Sequence, residues 1–285
     1  MKIVKFLGGL GNQLFQYAFF SALQRRFPHV KADLSEFATY KLHNGFELER
    51  IFGISLPEAS AFERKLFDQR DRRWVQRKLR RLFGTKDAYY EEPVLFQYDP
   101  VLYESSGNRY YWGYWQHINY IKPVEALLRK TFTFPPFIDQ RNADLAEALR
   151  LGNTVSVHVR RGDYLGDPVL GGICDVGYYE RALNYMEQQI QSPRYVFFSN
   201  DISWCRSQFG MKNATFVDWN TGINSFRDMQ LMSLCDHHII ANSSFSWWGA
   251  WLNDRPGKVV VSPGRWVTMK DVDLSGIILP EFRVV

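Results

Sequence analysis

Two adjacent arginines, Arg160 and Arg161, followed by Gly162 and Asp163, form the most chemically distinctive cluster in the chain. They directly follow residues 155–159, an apolar stretch that predicts a buried strand. An unpaired buried charge is very costly, so the two guanidinium groups cannot both point into the core without partners. A guanidinium is a planar fork of donors that suits phosphate oxygens. We therefore expect one of the two arginines to face outward as a phosphate ligand, and Asp163 to hold the other across the glycine turn.

The same residues allow a simpler interpretation, in which an Arg–Asp pair only locks a loop. The second half of the chain favours phosphate binding, because Ser243 and Ser244 follow the predicted strand 238–241 and would cap the next helix. Hydroxyls and free N–H groups at a helix start form a ready phosphate site. Asp228, on the predicted helix 224–234, could accept hydrogen bonds from N1 and N2 of guanine. The pattern predicts a site for a nucleoside diphosphate.

The elements that must position these residues alternate along the chain. Residues 2–7 predict a strand, 8–11 a glycine turn and 12–27 a helix, which is the opening of a nucleotide-binding βα unit. Asn12 lies where the turn enters the helix. In the second half, strands are predicted at 155–159, 195–199, 238–241 and 258–261, with helices at 178–190, 224–234 and 245–252. This alternation predicts an α/β fold with parallel sheets, whose ligands bind beyond the carboxyl ends of the strands.

The chain has 285 residues, a length that fits one large domain or two domains of ordinary size. A proline-rich and then polar stretch around 132–153 predicts the boundary. We expect an N-terminal domain at 1–150 and a C-terminal domain at 151–285.

Composition narrows the class of protein. The net charge of +5 and the pI near 9.0 favour anionic ligands only mildly and are too weak to indicate nucleic acid. Three cysteines without a Cys-x-x-Cys pair argue against a disulfide framework and a zinc site. No apolar run approaches the roughly 18 residues of a membrane span. These features predict a protein of the bacterial cytoplasm.

Residues 62–83 predict a single basic amphipathic helix, in which Leu66, Trp74 and Leu82 alternate with arginines that include Arg70. A solvated surface helix is the simpler interpretation. The alternative is peripheral contact with an anionic membrane surface, here the inner face of the cytoplasmic membrane, or with a lipid-linked acceptor.

The chain resembles glycosyltransferase family 11, the α-1,2-fucosyltransferases, over nearly its whole length. The arginine pattern is shared with α-1,6- and protein O-fucosyltransferases, so alone it indicates GDP-fucose but not the linkage. The N-terminal and Ser-Trp-Trp blocks make the α-1,2 assignment more specific. The matching blocks are Gly8–Tyr17, His158–Tyr164, Phe198–Asp201, Asp228–Cys235 and Ile239–Leu252.

The resemblance implies a GT-B-type fold, with two Rossmann-like domains facing a cleft. The C-terminal domain would hold GDP-fucose, and the N-terminal domain a terminal galactose of a glycan, such as a bacterial surface polysaccharide or lipopolysaccharide. Arg160 would contact the β-phosphate, and Asn12 would lie near the reacting groups. The remaining nucleotide-binding positions would be His158 and Asp228 on the guanine or ribose, Ser243 and Ser244 on phosphate, and Arg161 and Asn200 beside them.

The implied reaction inverts C1 of the sugar in one displacement. Arg160 and the helix start at Ser243 would stabilise the departing GDP without a metal or other cofactor. Asp271 and Asp273 have the Asp-x-Asp spacing of metal-dependent transferases, but they are far from the nucleotide motifs in sequence. Asp163 is the carboxylate nearest the motif and a candidate general base, although we expect it to hold Arg161. The sequence does not choose among the other candidates, Asp167, Asp175 and Glu180.

Three other interpretations remain open at this point. The chain could be an α-1,6- or protein O-fucosyltransferase of the same clan, a non-catalytic nucleotide- or glycan-binding module, or a basic nucleic-acid-binding protein. The last lacks any recognised nucleic-acid motif. The natural acceptor and the oligomeric state cannot be derived from the sequence.

Overall fold

The computed structural model describes residues 1–39, 44–69 and 71–285. Arg70, which the sequence counted within the basic helix, lies outside these described residues. The chain divides into two compact units, Met1–Thr133 and Phe134–Val285. The division precedes the boundary expected after residue 150, because Leu149 packs into a core cluster of the second unit.

The first unit contains a parallel sheet in the order β2-β1-β4-β3. Its strands β1 to β4 are Lys2–Lys5, Val30–Asp33, Tyr89–Glu91 and Arg109–Trp112. Its helices α1 to α6 are Leu10–Gln24, Leu48–Phe52, Ala61–Phe67, Trp74–Leu82, Ile118–Ile121 and Glu125–Thr131. Short 3₁₀ turns occur at Ser35–Ala38, Pro100–Tyr103 and Lys122–Val124.

The single helix predicted over 62–83 is wrong, because the segment forms two helices, α3 and α4. A capping box between Ser60 and Glu63 starts α3, and the backbone turns to an extended conformation at Asp68. The buried Arg80 of α4 donates hydrogen bonds to the carbonyls of Asp68 and Asp71 at 2.9 and 2.8 Å. These bonds hold the bend, which a helical hydrophobic period cannot reveal.

The second unit contains a six-stranded parallel sheet in the order β10-β9-β8-β5-β6-β7. Its strands β5 to β10 are Thr154–Val159, Arg194–Ser199, Ala214–Val217, His237–Ile239, Val260–Ser262 and Arg283–Val284. Its helices α7 to α11 are Gln140–Leu149, Val176–Gln189, Ile202–Phe209, Phe226–Leu234 and Ser244–Leu252. Short 3₁₀ turns occur at Gly162–Tyr164 and Gly222–Asn224.

Apolar side chains cover both faces of the six-stranded sheet. On one face Val157 and Phe197 pack with residues of α8, and on the other Val196 and Phe198 pack with residues of α10. Strands buried on both faces are typical of parallel α/β sheets. The α/β class with two parallel sheets is thus confirmed.

Each sheet has a point at which the strand order reverses. From β5 the chain proceeds to β6 and β7 on one side and later returns to β8 on the other. From β1 it proceeds to β2 on one side and later places β4 on the other. Ligands of open α/β sheets bind beyond the carboxyl ends of the strands at such reversals. The residues that follow β5 and β8, and those that follow β1 and β4, are therefore the first places to look for a site.

Within the described ranges, no helix combines the length and the apolar character needed to cross a membrane.

Candidate active site

Arg160 leaves the carboxyl end of β5 with most of its hydrogen-bonding capacity unused. Its Nη2 donates to Oδ2 of Asp163 at 2.6 Å, and its guanidinium lies 5.5 Å from the centre of the Tyr164 ring. Neither Nε nor Nη1 makes a hydrogen bond to any described residue. The side chain is 27 % exposed. Arg160 is therefore held in place and can still donate to an anionic ligand.

The predicted pair between Arg161 and Asp163 is wrong, because Asp163 pairs with Arg160 instead. Nε of Arg161 donates to Oδ2 of Asp201 at 3.2 Å, and its guanidinium lies 4.0 Å from the Trp204 ring centre. Successive residues of an extended chain point to opposite sides, so two consecutive arginines diverge as they leave the strand. Arg161 is thereby bound through its Nε to the start of α9, whereas Arg160 is bound through its Nη2 within its own turn.

Asn200 fixes the turn that carries both arginines. Its Oδ1 accepts from the backbone N–H of Arg161 at 3.0 Å, and its Nδ2 donates to Oδ1 of Asp163 at 3.3 Å. A Cβ at position 162 would collide with this side-chain amide, so Gly162 is needed for the close approach. Both polar atoms of Asn200 are engaged within the protein, which makes it a support of the arginine turn.

Ser243 and Ser244 form the start of α11, beyond the end of β8. Ser243 is the N-cap, and its hydroxyl accepts from the N–H of Phe245 at 3.3 Å. The hydroxyl of Tyr164 donates to the carbonyl of Asn242 at 3.3 Å, which joins the arginine turn to this helix start. The register between β5 and β8 pairs Val157 with Ile239, which places the two segments side by side. The structure thus joins the turn that carries Arg160 to the helix start through Tyr164, where the strand order reverses.

His158 is buried on β5 directly beside this pair. Its ring centre lies 5.7 Å from that of Phe245, and its Nδ1 has no hydrogen-bond partner in the part of the chain that the structure describes. Burial, together with the charge of Arg160, lowers the pKa of His158 to about 3. The imidazole is therefore neutral at physiological pH and has one unmatched nitrogen.

Asp228 lies in the first turn of α10 and is held by a chain of side-chain amides. Nδ2 of Asn220 donates to its Oδ1 at 2.9 Å, whereas no described residue donates to its Oδ2. Asn220 and Asn142 exchange two hydrogen bonds of 2.7 and 3.0 Å. Nε1 of Trp219 also donates to Oδ1 of Asn142 at 2.8 Å. Burial raises the pKa of Asp228 to about 8, although the bond from Asn220 opposes the shift.

Sequence reasoning missed Asn142 and Asn220, which orient Asp228. The signal that could have found Asn220 is the polar segment Asp218-Trp219-Asn220 directly after a strand, β7. That strand is only four residues long and half-exposed, so its pattern is weak.

The first unit carries a second polar cluster at its own reversal point. Oδ1 of Asn12 accepts from Nε2 of Gln116 at 2.8 Å, which links the segments that follow β1 and β4. Gly8 has a φ of 77°, and a Cβ there would lie 2.6 Å from Nδ2 of Asn12. The buried Gln16 supports the same edge by accepting from the N–H of Leu7 at 3.0 Å and donating to the carbonyl of Gly113 at 3.1 Å.

Glu92, which no sequence motif singles out, lies after β3 at the same edge. Its Oε2 accepts from the backbone N–H groups of Tyr114 and Trp115 at 2.7 and 3.3 Å. Its Oε1 is buried and has no partner among the described residues. Burial raises the pKa of Glu92 to about 7. Glu92 fixes the segment that carries Gln116, the partner of Asn12.

Comparison with known sequences identifies the family. The sequence profile described as Glycosyl transferase family 11 matches residues 1–268. The chain belongs to glycosyltransferase family 11. An Escherichia coli relative, alpha-1,2-colitosyltransferase, is 32 % identical over 282 residues, which is 95 % of this chain and 94 % of the relative.

Other relatives of this glycosyltransferase come from bacteria and mammals. The Escherichia coli O-antigen biosynthesis glycosyltransferase WbnK is 31 % identical over 285 residues, covering 91 % of this chain and 92 % of the relative. Rattus norvegicus galactoside alpha-(1,2)-fucosyltransferase 2 is 26 % identical over 265 residues, covering 88 % of this chain and 67 % of the relative. Among solved structures, the fucosyltransferase NodZ from Bradyrhizobium has a TM-score of 0.46 and 14 % identity, with 88 % and 93 % of the two chains covered.

Two of the three other carboxylates considered as a general base in this glycosyltransferase, Asp167 and Asp175, already accept structural hydrogen bonds. Oδ1 of Asp167 accepts from the N–H groups of Val169 and Leu170, both at 2.8 Å. Oδ1 of Asp175 accepts from the N–H of Tyr178 at 2.8 Å as the N-cap of α8. These bonds favour neither residue as a proton acceptor for the sugar hydroxyl.

The Asp-x-Asp triplet lies in a loop of the second unit. Asp271 has a φ of 58°, and Oδ1 of Asp273 accepts from the N–H of Ser275 at 2.9 Å. Across residues 1–39, 44–69 and 71–285, no group of three or more His, Cys, Asp and Glu side chains is arranged to hold a metal. That the reaction proceeds without a metal stays a prediction.

Proposed function

We propose that this family 11 glycosyltransferase transfers L-fucose from GDP-β-L-fucose to the 2-hydroxyl of a terminal galactose, with inversion at C1. The observation that carries the proposal is the bond from Tyr164, next to the Arg160–Asp163 turn, to the carbonyl that precedes the start of α11 at the strand reversal of the second unit. Family membership and the rat α-1,2-fucosyltransferase relative support the linkage.

The second unit provides complementary groups for each part of the GDP moiety. Arg160 has free donors for a phosphate, and Ser243 and Ser244 begin a helix whose positive end favours an anion. Oδ2 of Asp228, which no described residue engages, suits the N1 and N2 donors of guanine. The neutral His158 can make one further hydrogen bond from its buried nitrogen. We infer that this unit binds the donor.

The chemistry that these groups would support is a single displacement. The acceptor oxygen forms a bond to C1 of fucose while the bond from C1 to the β-phosphate oxygen breaks, and GDP departs with the electron pair. Arg160 stabilises the negative charge that grows on the β-phosphate. Removal of one preorganised donor of this kind typically costs about 100-fold or more in rate. The hydroxyl proton passes to a carboxylate or to the departing phosphate.

We assign the acceptor to the first unit, where Asn12 and Gln116 join the segments that follow β1 and β4. On this assignment, Asn12 contributes to the transfer step and not to nucleotide binding. A glycan of the bacterial cell surface is the expected acceptor, which accords with the name of the O-antigen relative.

A second candidate donor is GDP-colitose, because the Escherichia coli relative of 32 % identity is named a colitosyltransferase. Colitose differs from L-fucose only by the absence of the 3-hydroxyl. A site that donates a hydrogen bond to this hydroxyl would discriminate strongly, since the deoxy sugar would leave a buried polar group unpaired.

A panel of donors tests the proposal. The purified protein is incubated with a β-galactoside and, separately, GDP-fucose, GDP-colitose, GDP-mannose or UDP-galactose, each with excess EDTA. We expect transfer from GDP-fucose with the highest kcat/KM. Preference for GDP-colitose would establish the second candidate, and activity only with UDP-galactose would contradict the guanine assignment.

A further inference from the structure

Helix α4 turns apolar side chains toward solvent. Trp74 is 68 % exposed and Leu82 is 79 % exposed, with the exposed Val75 beside them. Positions 74, 75 and 82 lie within one face of a helix of 3.6 residues per turn. Other positions of α4 dock on the unit, with Leu79 packed on an apolar cluster and Arg80 buried. The apolar face of α4 therefore does not serve the core.

Helix α3 extends this surface. Phe62 on α3 is 53 % exposed, and its ring packs edge-on against that of Phe83, which is 45 % exposed, with centres 6.0 Å apart. We call Phe62, Trp74, Val75, Leu82 and Phe83 together the α3–α4 patch. Large exposed apolar residues grouped on two neighbouring helices indicate an interaction surface.

Positive charge surrounds the patch. Arg77, Lys78 and Arg81 are exposed on α4, and the Lys78 ammonium lies 4.9 Å from the Trp74 ring centre. Helix α4 contains no acidic residue. Residues 61–88 carry ten Lys and Arg and four Asp and Glu, a net of +6, whereas the whole chain has a net of +5. The net positive charge of the protein is thus concentrated in this one segment.

We propose that the α3–α4 patch binds the surface of an anionic phospholipid bilayer. Tryptophan favours the interface between headgroups and acyl chains, and Lys and Arg side chains keep their charges among the headgroups. A short amphipathic helix that carries both basic and apolar side chains lies in the plane of such a surface. A second copy of the chain would bring like charges together, and a nucleic acid would leave Val75 and Leu82 without apolar partners. The bilayer satisfies both the charge and the apolar residues.

Sedimentation with vesicles tests the proposal on the full-length protein. One set of vesicles is phosphatidylcholine alone, and the other contains about 30 % phosphatidylglycerol to supply the negative surface potential. We expect binding to the anionic vesicles only, and release as the salt concentration rises, because salt screens the attraction. Vesicle binding does not depend on the proposed transfer reaction, so the failure of one would not be mistaken for the failure of the other.

Matched variants locate the contact. Each Lys or Arg at a membrane surface contributes about fivefold in partitioning, so Arg77→Gln/Lys78→Gln/Arg81→Gln should bind about 100-fold more weakly. The control Lys130→Gln/Lys212→Gln/Lys270→Gln removes the same charge from exposed positions outside residues 61–88 and should bind like the wild type. Trp74→Ser/Leu82→Ser, which keeps every charge, should also lose binding.

Several outcomes would overturn the proposal. The first is that Arg77→Gln/Lys78→Gln/Arg81→Gln loses less than about twofold in vesicle affinity, where a loss of about 100-fold is expected. The second is an equal loss in the control, which would mean that only net charge matters. The third is self-association of the wild type that Trp74→Ser/Leu82→Ser abolishes, without vesicle binding, because the patch would then be an interface between copies. All three variants should give the circular dichroism spectrum and the thermal unfolding midpoint of the wild type, which would show that each is folded.

Discussion

The raised pKa of Asp228 leads to a specific prediction about nucleotide binding. Guanine presents two N–H donors to this carboxyl, so binding requires the ionised form. The folded apo protein holds Asp228 at a pKa of about 8, because the carboxyl is buried. At pH 6 only about one molecule in a hundred is ionised, whereas at pH 8 about half are. The affinity for GDP should therefore rise about 50-fold between pH 6 and pH 8 through this group alone.

The assay is calorimetric titration of GDP into the protein across this pH range. The GDP phosphates also titrate near pH 6, so the measurement is compared with Asp228→Asn, in which that contribution is unchanged. At pH 6 the wild type should release close to one proton from Asp228 for each GDP bound. The total number of protons released by Asp228→Asn should therefore be about one lower per GDP. His158 does not interfere, because its pKa is lowered to about 3. ADP, which lacks the two donors, should bind weakly to both proteins.

Stability provides an independent check on the same carboxyl. A pKa raised from 3.8 to about 8 means that the folded protein binds this proton more tightly than the unfolded chain does. This contribution to the free energy of unfolding is complete below about pH 4 and is lost as pH rises through 8. Asp228→Asn should therefore be more stable relative to the wild type at pH 8 than at pH 4. Equal pH dependence of GDP binding and of stability in the two proteins would refute the reasoning.

Further predictions concern the two polar clusters. Arg160→Ala should lower kcat by about 100-fold or more at unchanged stability, and Arg160→Lys should recover little because a fork of donors is lost; near-normal turnover would remove Arg160 from the mechanism. Asn12→Ala should lower kcat while the calorimetric Kd for GDP stays constant, and an equal loss of GDP binding would contradict the assignment of this residue. Gly162→Ala should cost about 1–3 kcal/mol in chemical denaturation, because the new methyl group meets the amide of Asn200, and an unchanged midpoint would show that the turn can adapt. Glu92→Gln should lower kcat, because the segment that carries Gln116 would be displaced. Lowering the pH should not restore the rate of this variant, since the new amide does not titrate.

The sequence predicted those parts of the fold that depend on local patterns. Strand β5 is apolar and buried, and Ser243 has the capping chemistry of a helix start, so both were predicted close to their observed places. Strand β7 was missed because its four residues are half-exposed, and the single helix over 62–83 was wrong because Arg80 holds a bend through backbone carbonyls.

The residue types of the candidate site could be selected from the sequence, but the hydrogen bonds between those residues could not. Arg160, Asp228 and Ser243 have side chains whose chemistry is recognisable without coordinates. The partner of each arginine depends on which way consecutive side chains leave β5, and this direction placed Asp163 on Arg160 and Asp201 on Arg161. The amides that orient Asp228 come from 86 residues earlier and eight residues earlier along the chain, a proximity that only the fold creates.

The structure of the product tests the central claim most directly. The protein is incubated with GDP-fucose, EDTA and a methyl β-galactoside, and the anomeric configuration and linkage are determined by NMR, with the 2-deoxygalactoside as a matched acceptor. The account predicts an α-linked fucose on the 2-oxygen and no product from the 2-deoxy acceptor. A β-linked product, a different linkage, or equal transfer to the 2-deoxy acceptor would contradict it.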